Sequence, residues 1–306
     1  MTAIWIANDT SKNGSYIQLK TEVLCTVSCL AFVKHFHPEW KTIFFVDKFT
    51  KKYYEQFGIL ELFDEVNDTL LDEITDINLN IFWAAAKIKA QLFIDGPSVM
   101  FDLDFRFYSN LEKMGVFENT DISCLWAEYI NKNYLKPQDA FNNINVNWDY
   151  NWGNKSFNVS FLYIKDEEFR KTYCNSAIEY MVEASKVIKD EFEKFERGKY
   201  ITFVEQHMLY ELVKKLNLKV KVLIHDYESD LTLPNHIEGV GISYQNAGEY
   251  LYHYASGKIE MKNKGKTYVD ELNHMYNITN SIVTDTKYLN TFNKIYNISD
   301  NESCFC

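Results

Sequence analysis

The sequence is poor in proline, has no excess of basic residues and contains no long apolar run. Only 4 of its 306 residues are Pro, whereas 46% are hydrophobic and 16% are aromatic. This composition predicts a packed globular body, because disordered chains have few apolar and aromatic residues. The formal net charge of -11 argues against a dedicated nucleic-acid binder, which neutralises phosphates with Lys and Arg. We expect no membrane span, since no stretch reaches the roughly 18 apolar residues that one needs.

Cysteine spacing points away from a zinc site and towards a reducing compartment. None of the six cysteines belongs to a Cys-x-x-Cys pair, so no zinc site is expected. Cys25 and Cys29 have helical spacing and are predicted to be small buried apolar residues. Cys304 and Cys306 end a polar tail that we expect to be disordered. The first residues lack the basic and apolar parts of a signal peptide, and a cytoplasmic location is therefore expected.

Predicted strands alternate with predicted helices through residues 1 to 104. Such alternation indicates βαβ units and therefore a mainly parallel sheet with helices on its faces. The apolar runs predict strands at 4–7, 42–46, 63–66 and 98–104. Helical spacing of apolar residues predicts helices at 19–36, 50–57 and 81–93.

The rest of the chain is less regular. Residues 131–156 are dense in Asn, Trp and Tyr and predict a long loop or a hairpin, either a surface excursion or a carbohydrate-facing segment. Beyond it we expect strands at 157–164, 220–224 and 250–254 and helices at 166–196 and 204–216. Residues 1–265 are predicted to form one domain with halves at 1–104 and 105–265, and 266–306 a tail with one helix at 286–296.

The most informative motif is Asp102-Leu103-Asp104, which directly follows the apolar run 98–101. Residues i and i+2 of an extended segment point the same way, so both carboxylates can face one cation. The carboxyl edge of a parallel sheet is where α/β proteins bind ligands. Two carboxylates leave a hard cation short of oxygen ligands, and phosphate oxygens would complete the shell. The motif therefore indicates a divalent metal that holds a phosphorylated substrate, with a solvated strand end as the alternative.

Several segments, in this order, resemble the GT-A glycosyltransferases, and most of all their retaining family 8, the glycogenin and lipopolysaccharide galactosyltransferase type. The segments that carry the resemblance, across roughly residues 4 to 258, are Ile6-Ala7-Asn8-Asp9, the helix with Lys87, Asp102-Leu103-Asp104, Phe157-Asn158-Val159-Ser160, Val204-Glu205-Gln206-His207 and His253 to Lys258. Two of them depart from the family pattern. Val-Ser replaces Ala-Gly after Asn158, and Gly257 directly precedes Lys258.

The resemblance implies a transferase that moves a sugar from a nucleotide-diphosphate sugar, most often a UDP-sugar, with retention of configuration. It implies that Ala7, Asp9, Lys87, Asp102, Asn158 and Lys258 contact the donor. Asp102, Asp104 and His253 would bind Mn²⁺ or Mg²⁺, with His225 as the rival to His253, and the imidazole would favour Mn²⁺ as the softer ion. Gln206 or Glu205 would lie beside the reacting carbon. The fold implied is a mixed, mainly parallel GT-A sheet flanked by helices.

Other interpretations of the motif stay open at this point. The run Val99 to Asp104 also resembles the nucleophile strand of haloacid-dehalogenase-type phosphatases, with Asp102 as nucleophile. A nucleotidyltransferase is a third candidate, although residues 8–15 lack the Gly-rich basic loop expected of one. A non-catalytic sugar- or nucleotide-binding protein on the same scaffold is the non-enzyme alternative. The acceptor of a transferase is undetermined, and a glycan, a protein side chain, a lipid-linked sugar or a nucleobase all fit.

Overall fold

A computed structural model describes residues 1–132, 134–146, 148–188, 194–227, 234–253, 266–299 and Phe305, with the backbone alone at 194–197, 252–253 and 266–267. The strands are β1 (Thr2–Ala7), β2 (Lys41–Val46), β3 (Glu65–Asn67), β4 (Ser98–Phe101), β5 (Phe105–Phe107), β6 (Ile122–Tyr129), β7 (Lys155–Ile164), β8 (Val220–Ile224), β9 (Ile237–Ile242) and β10 (Leu251–His253). The helices are α1 (Lys20–Phe36), α2 (Lys48–Glu55), α3 (Ala85–Gln91), α4 (Pro137–Ala140), α5 (Glu167–Val187), α6 (Lys194–Thr202), a π-helical turn (Phe203–His207), α7 (Met208–Leu216), α8 (Lys266–Ile282) and α9 (Thr286–Tyr296). Short 3₁₀ turns lie at Leu60–Leu62, Leu70–Glu73 and Ala247–Glu249.

Within the described residues, eight strands form one sheet in the order β3-β2-β1-β4-β7-β6-β8-β9. Strand β7 runs antiparallel to both of its neighbours, β4 and β6. The other neighbouring pairs are parallel. The predicted fold class, a mixed and mainly parallel sheet flanked by helices, is therefore confirmed. Both predicted halves of the domain contribute strands to this single sheet.

The sheet is buried on both faces, which explains why its first strands are continuous apolar runs rather than alternating ones. Trp5 of β1 points to one face, where its ring stacks on that of Phe101 with 5.0 Å between the centroids. Ile4 and Met100 point to the other face and join a second cluster of buried residues with α3 and α5. Cys25 and Cys29 are buried in the first cluster, as predicted.

Several predicted elements differ from the observed ones. Strands β5, β6 and β9 were not predicted, and the predicted helix 81–93 forms only over Ala85–Gln91. The described part of the segment 131–156 contains the short helix α4, Pro137–Ala140, and at its end the first two residues of β7, and is otherwise irregular. Its Trp and Tyr rings pack on α5 and the π-helical turn, as in the contact of Trp148 with Tyr180 at 5.3 Å. This packing on α5 and the π-helical turn explains how a segment with little regular secondary structure is held in place.

The prediction of one helix in the tail is wrong, because the tail forms two helices, α8 (Lys266–Ile282) and α9 (Thr286–Tyr296). Both pack on α1. The Thr279 hydroxyl lies 2.8 Å from that of Ser28 in this contact, and Glu271 forms an ion pair with the buried Arg106 of β5. The helices thereby support the residues that follow the Asp-x-Asp motif. Cys304 and Cys306 lie outside the described residues. None of the described helices is long and apolar enough to cross a membrane.

The buried side chain of Arg170 provides a direct test of how α5 is held to the sheet. It donates to the backbone oxygens of Gln91 at 3.0 Å, Gly96 at 2.7 Å and Ile94. We predict that Arg170→Met lowers the free energy of unfolding by about 3 to 5 kcal/mol, because it leaves buried carbonyls without donors. Urea denaturation followed by circular dichroism measures the change.

The adjacent Lys171→Met variant is the matched control, since the side chain of Lys171 is 42% exposed and its ion pairs with described residues are those with Glu167 and Glu168 of the same helix. We expect its unfolding midpoint to equal that of the wild type. Equal stability of the two variants would contradict the role given to Arg170.

Candidate active site

A cavity of about 280 Å³ opens at the carboxyl ends of β1 and β4, the edge of the sheet where the motif was predicted to act. The residues that line it come from β1 and the loop after it, from α1, from α3 and the residues just before it, and from the turn after β4. They are Ile6, Ala7, Asn8, Thr10, Tyr16, Gln18, Glu22, Trp83, Lys87, Asp102, Leu103 and Asp104. Of the predicted site residues, this cavity therefore collects Ala7, Lys87, Asp102 and Asp104.

Backbone and side-chain contacts hold the Asp-x-Asp segment in place. The Asp102 N–H donates to Ser160 O on β7 at 2.8 Å, and Phe105 N–H donates back to Asp102 O at 3.1 Å. The Thr26 hydroxyl of α1 lies 3.2 Å from Leu103 O. The turn is thus tied to two elements besides its own strand. Such support fixes the carboxylate positions, which is what a preorganised ligand site requires.

The ammonium group of Lys87 lies between two carboxylates. Its Nζ is 2.5 Å from Oδ1 of Asp102 and 3.2 Å from Oε1 of Glu205. Burial opposes its charge, but the two carboxylates outweigh burial and raise the pKa of Lys87. Burial raises the pKa of Glu205 and the charge of Asp102 adds to this, whereas Lys87 acts in the opposite direction. This ion triad joins the Asp-x-Asp motif to a segment about one hundred positions later in the sequence.

Glu205 and Gln206 lie on the π-helical turn Phe203–His207, between α6 and α7. A π turn interrupts the regular helical bonding and is frequent at functional sites. The Tyr173 hydroxyl donates to Glu205 O at 2.9 Å and so partners a carbonyl of this turn. The side chain of Gln206 meets the Tyr134 hydroxyl, with 2.7 Å between Oε1 and Oη. The two predicted catalytic residues are therefore fixed by different neighbours, Glu205 by Lys87 and Gln206 by Tyr134.

The Asp9 carboxylate organises its own loop. It accepts hydrogen bonds from Ser11 N at 3.1 Å, Ser11 Oγ at 2.5 Å and Gly14 N at 2.9 Å. Gly14 has a φ of +77°, so this turn suits a glycine. Asp9 is not among the described residues that line the cavity. Contact of its carboxylate with the nucleotide-sugar donor stays a prediction. Lys12 of the same loop donates to Ile74 O at 2.6 Å and so does not provide the phosphate-binding lysine of a nucleotidyltransferase loop.

The other predicted site residues lie around the same edge. Asn158 is on β7, where its Oδ1 accepts from Ser160 N at 3.1 Å. The backbone of His253 on β10 pairs with Phe105, the residue directly after Asp104. The imidazole of His253 and all of Lys258 lie outside the described residues. His225, the alternative to His253 as a metal ligand, directly follows β8. Strand β8 is three strands away from β4 in the sheet, which corresponds to about 14 Å at the usual strand spacing.

The chemistry of the cavity lining suits a divalent cation. Glu22, Asp102 and Asp104 line the cavity, and Lys87 is the only cationic side chain among the described residues that line it, so this lining carries an excess of negative charge. Carboxylate oxygens suit hard cations such as Mg²⁺ and Mn²⁺. Asp104 also acts on Cys25 of α1. Burial raises the pKa of Cys25 to about 12, and the negative charge of Asp104 contributes to this increase.

Sequence reasoning missed several residues of the site. Trp83 lines the cavity and is 38% exposed, which is high for a tryptophan in a packed domain. Tyr134 and Glu128 lie beyond Gln206, and the Tyr134 hydroxyl also bonds to the Glu128 carboxylate. Tyr134 belongs to the aromatic segment 131–156, and Glu128 belongs to strand β6, which was not predicted. Neither position indicates a contact with residues more than seventy positions away.

Comparison with known proteins identifies no family by sequence, because no family model and no curated protein matches this chain. Solved structures with a similar arrangement include the galactosyltransferase LgtC in complex with donor and acceptor sugar analogues. It shares 11% identity at a TM-score of 0.44, over 95% of this chain and 100% of that chain.

Two further similar structures have other activities in their names. The nucleoside-diphosphate-sugar pyrophosphorylase of Vibrio cholerae shares 16% identity at a TM-score of 0.40, over 74% of this chain and 93% of its own. Mouse xyloside xylosyltransferase 1 shares 8% identity at a TM-score of 0.37, over 73% and 86%. These similarities are too low to carry a function, and we therefore argue function from the site itself.

The ion triad predicts a pH-dependent loss of stability when Lys87 is replaced. Because the folded-state pKa of Glu205 is raised, its ionisation weakens the folded state as the pH rises through that pKa. Lys87→Met removes the group that opposes this shift. We predict that the variant loses more stability at pH 8 than at pH 5, by about 1.4 kcal/mol for each further pKa unit. Urea denaturation at both pH values in the presence of EDTA measures the difference.

The control is Lys89→Met, a half-buried lysine of the same helix that does not line the cavity. We expect it to change stability equally at both pH values. The double variant Lys87→Met with Glu205→Gln should lose the extra pH dependence. A Lys87→Met variant with the pH profile of the wild type would rule out this view of the triad.

Proposed function

We propose that this protein is a metal-dependent glycosyltransferase that uses a nucleotide-diphosphate sugar, most simply a UDP-sugar. The observation that carries the proposal is the Lys87 bridge, with Nζ 2.5 Å from Asp102 and 3.2 Å from Glu205. It joins the Asp-x-Asp motif, which lines the cavity at the carboxyl edge of the sheet, to the Glu-Gln pair of the π turn. Transfer from a nucleotide sugar needs groups that bind the diphosphate and polar groups beside the reacting carbon.

Asp102, Asp104 and His253 would hold Mn²⁺ or Mg²⁺. When bound, such an ion stabilises the negative charge that develops on the departing diphosphate. The backbone pairing of His253 with Phe105 supports the third ligand, because it brings this residue next to the Asp-x-Asp turn. Lys87 keeps Asp102 in position through one carboxylate oxygen and adds a positive charge close to the diphosphate. We propose a similar contact with the diphosphate for Lys258.

Gln206 and Glu205 are proposed to lie beside the sugar carbon at which the bond to the diphosphate breaks. Their positions on the π turn, supported by Tyr134 and Lys87, are well defined. In the reaction the acceptor hydroxyl forms the new bond and loses its proton, and the nucleoside diphosphate leaves. Asn158 is proposed to contact the donor sugar and Ala7 and Asp9 the nucleoside. We further propose that the anomeric configuration is retained, which an NMR time course of the product would test.

This proposal predicts that the protein hydrolyses at least one UDP-sugar slowly in Mn²⁺ and releases UDP. We expect Asp104→Asn to reduce UDP release at least about a hundredfold, since loss of one charged metal ligand removes several kcal/mol of transition-state stabilisation. UDP release is measured with a donor panel, with Mn²⁺, with Mg²⁺ and with EDTA. Asp270→Asn is the matched control, because Asp270 is exposed on α8 and does not line the cavity.

Three outcomes would redirect the proposal. Neither turnover nor binding of any nucleotide sugar in the presence of metal would contradict transferase function. A covalent phosphate trapped on Asp102 would support the phosphatase alternative instead. Release of pyrophosphate from a nucleoside triphosphate and a sugar phosphate would support a nucleotidyltransferase.

A further inference from the structure

The carboxyl edge of the sheet continues beyond the donor cavity into a second group of polar and aromatic residues. The Asp102 N–H is bonded to Ser160 of β7, and Asn158 of the same strand pairs with Trp126 of β6. Trp126 is therefore two strands from Asp102, or about 10 Å at the usual strand spacing. A group at this distance along one sheet edge lies where the second substrate of a transferase would meet the donor.

Three aromatic rings form a corner at this place, which we call the aromatic corner: Trp126, Tyr227 and Tyr244. The rings of Trp126 and Tyr227 are stacked, with centroids 4.1 Å apart and an interplanar angle of 11°. Tyr244 meets Tyr227 at 80° with 5.4 Å between centroids and is 57% exposed. Burial in the core does not account for Tyr244, because more than half of its surface is open to solvent.

The backbone holds the aromatic corner in a defined shape. The Tyr244 N–H donates to Oδ1 of Asp226 at 2.5 Å, which ties the turn after β9 to the turn after β8. The Ser243 hydroxyl donates to Asn246 Oδ1 at 2.9 Å and steadies the same turn. Trp126 is only 8% exposed, so Tyr244, held at 80° to Tyr227, is the ring of the aromatic corner that is open to a ligand. A ring that is already held in place lowers the entropy cost of ordering the protein around a ligand.

A carboxylate connects the aromatic corner to the proposed catalytic residues. The Trp126 indole Nε1–H donates to Oε2 of Glu128 at 3.1 Å, and the Tyr134 hydroxyl bonds to the other oxygen. Tyr134 in turn lies 2.7 Å from Gln206. Glu128 is half-buried, and a carboxylate has lone pairs beyond the two that these donors use. A ligand on the aromatic corner would therefore find a fixed hydrogen-bond acceptor on the side that faces Gln206.

We infer that the aromatic corner and Glu128 form the acceptor subsite, and that the acceptor is the terminal sugar ring of a neutral glycan. Aromatic faces pack on the apolar C–H face of a sugar ring, and a carboxylate accepts hydrogen bonds from the hydroxyl groups of the sugar. The carboxylates of Glu128 and Asp226 disfavour a phosphate-rich acceptor such as a nucleic acid. This inference rests on the proposed function, since it names the acceptor class of the same site.

The test is binding of simple sugars without any donor. The probes are the α- and β-methyl glycosides of glucose, galactose, mannose and N-acetylglucosamine, followed by saturation-transfer NMR and by tryptophan fluorescence. We expect at least one methyl glycoside to bind the wild-type protein. Tyr244→Ala and Glu128→Gln should each weaken that binding about tenfold, since each removes one ring or one charged acceptor.

Tyr276→Ala is the matched control, because Tyr276 is a partly exposed tyrosine on α8 and should leave sugar binding unchanged. Circular dichroism of each variant reports its fold. The inference is overturned if no methyl glycoside binds, or if Tyr244→Ala and Glu128→Gln bind as the wild type does. UDP release without sugar binding would overturn this inference alone. Sugar binding without any UDP release would leave the subsite in place and count against the proposed donor reaction.

Discussion

The ammonium group of Lys87 between Asp102 and Glu205 is the interaction on which the site depends. The carboxylate of Glu205 is buried and that of Asp102 is half-buried, so a cation placed between them offsets their mutual repulsion. By bonding to both, Lys87 connects the π turn to the end of β4. The same contact thus positions the polar residues of the turn next to the carboxylates to which we propose that a metal binds.

The scaffold supports this triad from several directions. Antiparallel strand β7 (Lys155–Ile164) lies between β4 and β6, so it can bond to the Asp-x-Asp turn through Ser160 and pair with Trp126. Helix α1 contacts Leu103 O, and α8 and α9 brace α1 from outside. The cavity in which we propose that the donor binds and the proposed acceptor subsite are consequently neighbouring parts of one sheet edge. A transferase needs this arrangement because both substrates must meet in a fixed geometry.

Local sequence predicted those parts of the fold in which pattern and burial agree. Strands β1, β2 and β4 are continuous apolar runs, and each was predicted close to its observed position. Helix α8 (Lys266–Ile282) was missed although Tyr268, Leu272 and Met275 have helical spacing and are buried, and it packs on α1. Asp9 shows the same limit for a site residue. The hydrogen bonds from Ser11 and Gly14 to its carboxylate depend on the turn that its loop forms, which no local pattern predicted.

The sequence alone determined that a pair of carboxylates directly follows a buried apolar strand, because the apolar run and the motif are consecutive residues. The prediction that the motif itself is extended is wrong, since β4 ends at Phe101 and the bond from Phe105 N–H to Asp102 O closes a turn. The sequence also indicated Lys87, Glu205 and Gln206 as members of a site. Only the tertiary structure decided that Lys87 joins Asp102 to Glu205, and that Glu128 and Tyr134 connect Gln206 to an aromatic corner. Such contacts depend on the order of strands in the sheet and on helix packing, which bring together residues that no local pattern relates.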